Sequence, residues 1–103
     1  RENQEDLVTV SLSFLKEKST KDGMVFEVSL DTHSVNLDNF NFQEKVILVS
    51  VNNQISPTEV ELSGGGHHRS AEVTFTKYPY PFSIKVNGHD SIPTREFRFD
   101  EEP

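Results

Sequence analysis

Apolar residues alternate with polar ones at Val8, Val10, Leu12 and Phe14, and again at Met24, Phe26, Val28 and Leu30. A two-residue period places one side of an extended chain in a core and the other in water, so each run predicts a half-buried strand. The same alternation recurs at Val60 and Leu62, at Ala71, Val73 and Phe75, at Phe82, Ile84 and Val86, and at Phe97 and Phe99. The run from Lys45 to Val51 differs. Apolar throughout except at Lys45 and Ser50, it predicts a central strand covered on both faces. Turn-forming residues fall between these runs and not inside them: Lys21-Asp22-Gly23, Asn52-Asn53, Ser56-Pro57, Gly64 to Gly66, Pro79 with Pro81, Asn87-Gly88 and Pro93. No segment keeps a helical period.

Seven short strands, separated by turns at intervals of about 8–12 residues, are the pattern of an all-β, antiparallel two-sheet sandwich of immunoglobulin or fibronectin type. A small barrel is the competing closure. The 103 residues make one domain, with fraying expected at residues 1–6 and 101–103. One connection is long: Asp31 to Gln43, "DTHSVNLDNFNFQ", exceeds most ordered loops of compact domains and is a candidate for a role of its own.

Charge narrows the partners. With 17 acidic and 10 basic residues the formal net charge is −7, which argues against nucleic acid, because a phosphate backbone is bound by Lys and Arg that replace its counterions. The absence of cysteine removes disulfides, thiolate metal sites and cysteine nucleophiles together. No apolar run approaches the ~20 residues that span a bilayer, so no transmembrane segment is expected. No signal-peptide pattern stands at the start, and a chain opening on Arg1 reads as a mature or trimmed product.

The candidate chemistry lies in two stretches. Asp31 and His33 are two apart at a predicted strand end, so their side chains share a face, and a carboxylate beside an imidazole either ligates a metal or orients the ring that does. In "SGGGHHRS" the glycines Gly64 to Gly66 can take positive φ and bring His67 and His68 into a turn where both imidazoles converge. Asp31, His33, His67 and His68 then form a candidate metal site of imidazole and carboxylate ligands, which suits Zn, Cu(II), Ni or non-haem Fe(II) better than Ca or Mg. The competing reading needs no ligand: Arg69 pairs with Asp31, and a polar network of Asp31, His33, His67 and Arg69 pins the long loop to a neighbouring strand. His89 reads as a solvated residue of an Asn87-Gly88 hairpin turn. "YPYPF", Tyr78 to Phe82, reads as an extended stretch whose tyrosines cover one end of the core.

"MVFEVSLDTHSVNLD", followed by "GGGHHRSAEVTF" and closing on "REFRF", resembles a family of small, largely uncharacterised exported or lipoprotein-like β-sandwich domains of bacteria and archaea. Members of that family share a strand ending in Asp-Thr-His-Ser-Val and a later Gly-Gly-His-His-Arg. The resemblance runs from about Val8 to Phe99. It implies an extracytoplasmic location, secreted, periplasmic or lipid-anchored, and it joins Asp31, Thr32, His33, Ser34, His67, His68 and Arg69 into one pattern with metal binding as its implied property.

The expectation from sequence is therefore an exported β-sandwich module that binds a divalent transition metal, Zn or Cu, for storage, delivery or sensing. A metal-free immunoglobulin-like structural or adhesion module with a protein partner is the alternative. An enzyme ranks last, since no residue stands out as a general base and no substrate pocket is signalled.

Overall fold

The computed structural model describes residues 8–32, 36–88 and 94–103, and for residues 2–5 the backbone alone. Among the described residues nine strands arise, in the order β1 (Glu2–Glu5), β2 (Val8–Phe14), β3 (Gly23–Thr32), β4 (Val46–Ser50), β5 (Asn53–Ile55), β6 (Glu59–Gly65), β7 (His68–Thr76), β8 (Phe82–Val86) and β9 (Arg95–Phe99). They form two sheets, a five-stranded one ordered β1-β2-β3-β7-β6 and a four-stranded one ordered β5-β4-β8-β9. Every pairing is antiparallel. The chain is an all-β two-sheet sandwich. Among the described residues no helix is long and apolar enough to cross a membrane.

All seven predicted runs form strands, and the apolar sets of six face one another; in the seventh, β6, Val60 is half-buried and Leu62 is exposed at the sheet edge. Val8, Val10, Leu12, Phe26, Val28, Leu30, Val73 and Phe75 from one sheet, with Val46, Leu48, Ile84, Val86, Phe97 and Phe99 from the other, are buried in one continuous core. Ring packing ties the layers together where Phe26 lies 5.5 Å from Phe99, centroid to centroid, and continues within each sheet, from Phe26 to Phe14 at 5.4 Å and from Phe99 to Phe82 at 5.8 Å. Such tilted contacts suit the ring quadrupoles better than face-to-face stacking.

Four features depart from the pattern. Glu2–Glu5, expected to fray, pairs with β2 from Glu2↔Ser11 to Glu5↔Val8 and makes an edge strand. β5 adds a second one, reached through a tight turn at Val51-Asn52. β4 is central, between β5 and β8, yet only Val46 and Leu48 are buried; Ile47 and Val49 are half-buried and Val51 is 94% exposed, so its outer face has partial cover. The long connection carries a single turn of α-helix, α1 (Phe42–Lys45), whose N-cap Asn41 accepts a hydrogen bond from the backbone N–H of Glu44 at 3.2 Å. Leu37, Phe40 and Phe42 anchor that connection in the core.

Candidate functional site

The long connection and the glycine–histidine turn meet at one end of the five-stranded sheet. β6 and β7 form a hairpin in which Gly65 pairs with His68, leaving Gly66-His67 as the turn. Gly64 (φ +77°) and Gly66 (φ +64°) occupy the left-handed region. A Cβ on Gly64 would stand 2.5 Å from the carbonyl oxygen of His68, so glycine is required there by conformation and by space. The turn is then bonded to the connection from several sides. Leu37 N–H donates to the Gly66 carbonyl at 2.8 Å, Gly66 N–H donates to Asp38 Oδ1 at 2.7 Å, and Thr32 N–H donates to the His67 carbonyl at 2.9 Å. Asp38, which the sequence did not single out, is thus the acceptor that closes the turn onto the connection.

Register decides which side chains meet. β3 and β7 pair Asp31 with His68, and Leu30 with Arg69. Side chains alternate across a sheet, so His68 and Arg69 project to opposite faces. On the solvent face His68 Nδ1 bonds Asp31 Oδ1, with His68 71% and Asp31 44% exposed. A carboxylate accepts at this contact, so Nδ1 is the donor, and in the neutral tautomer with that donor the lone pair is on Nε2. That is the arrangement by which a carboxylate fixes a metal-ligating histidine.

Arg69 does something else. Its Nη1 donates to the carbonyls of Leu37, Asp38 and Phe40 at 3.0, 2.8 and 3.0 Å, and its guanidinium lies 5.5 Å from the centroid of the Phe42 ring. The network that pins the long loop therefore exists, but its acceptors are backbone carbonyls. Asp31, expected to pair with Arg69, pairs with His68. Arg69 also lies on the face away from His68, so its guanidinium does not point at the place a cation beside that ring would take.

His67 is exposed in the turn. Among the described residues no group of three or more His, Cys, Asp or Glu is arranged to hold a metal ion. His33, the fourth candidate, lies outside the described residues, as do Ser34 and His89. Asn87-Gly88 does not form the two-residue hairpin expected around His89: β8 ends at Val86, β9 begins at Arg95, and Gly88 N–H donates to Thr94 Oγ1 at 2.8 Å across a longer connection. Tyr78 and Tyr80 pack against the core as expected, the Tyr80 ring stacked on Phe82 at 4.8 Å. Burial pushes the Tyr80 phenol above its usual range, while hydrogen bonds from Ser50 and Asn53 draw the Tyr78 phenol below it.

Fold and site together define a β-sandwich protein with an exposed, carboxylate-oriented histidine at one sheet end. Comparison of the chain with protein-family models, with curated proteins and with solved structures finds no match in any of the three.

Proposed function

We propose that this chain is an immunoglobulin-like module that binds a divalent transition metal at the end of β3 and β7, with His68 as ligand and Asp31 as its orienting carboxylate. The observation that carries the reading is the cross-strand Asp31–His68 pair, solvent-facing and with Nε2 free. His33, two residues beyond Asp31 in the chain, is the proposed second ligand. Lettered in chain order from β2, the two sheets read A-B-E-D and C′-C-F-G, and this order supports the immunoglobulin-like assignment. The resemblance to exported domains supports an extracytoplasmic setting.

An imidazole competes with protons for its metal, so binding weakens on acidification. Thermal melts with zinc, copper or nickel at pH 7.5 and 5.5 test this. Metal should raise the melting temperature at the higher pH by mass action on the folded state and do so less at the lower. His68→Ala should abolish the response and His33→Ala should weaken it, while His89→Ala should leave it unchanged. A wild-type response retained in His68→Ala would sink the site. The second reading, a metal-free structural or adhesion module, rests on the grip of Arg69 on three carbonyls of the long loop, which orders the sheet end without any ion.

A further inference from the structure

We propose that the outer edge of β6 docks an extended segment of a partner protein, one that alternates basic and apolar residues and joins the sheet as an additional strand. β6 is, among the described residues, the last strand of its sheet, paired with β7 on one side only. Among the described residues no backbone hydrogen bond joins Val60 or Leu62 to any element besides β7. An unpaired edge of seven residues is a ready template for another strand.

Two surfaces flank that edge, and they differ in chemistry. On the core side a groove of about 350 Å³ opens between β6 and α1, walled by Phe40, Phe42, Val60 and Leu62, with Asp38 and Arg69 among its lining. Leu62 is 53% exposed there, one of two large apolar side chains left in solvent among the described residues. The Arg69 guanidinium, held in place by three carbonyls, lies on this groove side, where the segment's apolar residues enter, and its basic residues project to the other side. On the solvent side Glu59 and Glu61 stand exposed along the same edge. Register continues Glu61 into a row with Glu72 and Glu27 on the neighbouring strands.

A strand added beside β6 sends alternate side chains to these two surfaces. Those on the core side enter the apolar groove; those on the solvent side lie opposite Glu59 and Glu61, where opposite charges across a strand pair are favourable and like charges are not. The edge is therefore complementary to a basic–apolar alternation. It is a poor match for a second copy of this chain, which would bring the same glutamates against one another in a molecule of net charge −7.

The test uses fluorescent peptides as long as β6, seven residues, titrated by anisotropy and mapped by amide chemical shifts. One alternates lysine and valine, one alternates glutamate and valine, and the third is the lysine–valine peptide with alternate backbone amides methylated. The lysine–valine peptide should bind and shift the amides of residues 59–65, and the other two should not. The double variant Glu59→Lys, Glu61→Lys should weaken binding at least about tenfold, as should Leu62→Lys, while Glu27→Lys, two strands inboard, should stay within about twofold. Circular dichroism certifies the fold of each variant, and if Leu62→Lys fails to fold the glutamate variant decides. No binding, equal binding of the methylated peptide, or shifts away from β6 would overturn the proposal. So would a concentration-dependent dimer in sedimentation that the glutamate substitutions disrupt, since the occupant would then be a second copy.

Discussion

Tyr80 shows how one atom can work against its own side chain. The ring stacks on Phe82, but the hydroxyl is buried with no hydrogen-bond partner among the described residues. A buried hydroxyl left without a partner costs about 1–3 kcal/mol, so Tyr80→Phe should stabilise the domain by about 1 kcal/mol in denaturant titrations. The phenol is raised in the folded state by burial, with the nearby Glu102 charge adding to it. Its contribution is fully present below the unfolded value near 10 and lost as pH rises through the higher folded value. Unfolding midpoints of the wild type should consequently fall against those of Tyr80→Phe only above about pH 10. Gly64 is the opposite case, a residue chosen for what it lacks. With φ +77° and a backbone oxygen 2.5 Å from any Cβ, Gly64→Ala should cost at least about 1–2 kcal/mol. Gly66→Ala, whose Cβ meets nothing within 4 Å, should cost less.

At the scale of elements, the long connection behaves as a packed part of the sandwich. Leu37, Phe40 and Phe42 are buried, and the intervening carbonyls that would otherwise lose water are satisfied by Arg69. Removing the guanidinium deletes three hydrogen bonds from a charged donor. Arg69→Ala should destabilise the domain by about 2–3 kcal/mol, the range for hydrogen bonds to a charged group, and should raise hydrogen-exchange rates at residues 36–41 before those of β8. Three large apolar residues in "NLDNFNFQ" were a legible sign of a docked loop, although neither a strand nor a helix period arranges them. What the spacing could not reveal is that Arg69 closes the loop through backbone carbonyls and not through Asp31. That depends on β7 placing residue 69 toward the connection and residue 68 toward solvent.

For the whole molecule, stability rests on rings that cross from one sheet to the other. Phe26 of β3 contacts Phe99 of β9, and Phe99 contacts Phe82 of β8. Phe26 is fully buried, so Phe26→Ala should lower stability by about 3–5 kcal/mol. Because the contact spans both layers, near- and far-ultraviolet circular dichroism should still report a single transition, at a lower midpoint. The seven principal strands could be read from the chain alone, since a period of two is a local property, but the outer face of β4 and the apolar face of the edge strand β6 are less covered than their residues imply, because cover depends on which elements pack there. The edge strands β1 and β5 could not: Glu2–Glu5 and Asn53–Ile55 show no such alternation and exist because a neighbour offers them a ladder. The candidate site divides along the same line. Asp31 and the His67-His68 pair stand out as residue types, but whether Asp31 meets His68 or Arg69 depends on the register of β3 against β7. A shift of one residue would exchange the two, turning histidine inward and arginine to solvent. Local pattern determines which residues face out. Only the pairing of strands distant in sequence determines which of them face each other.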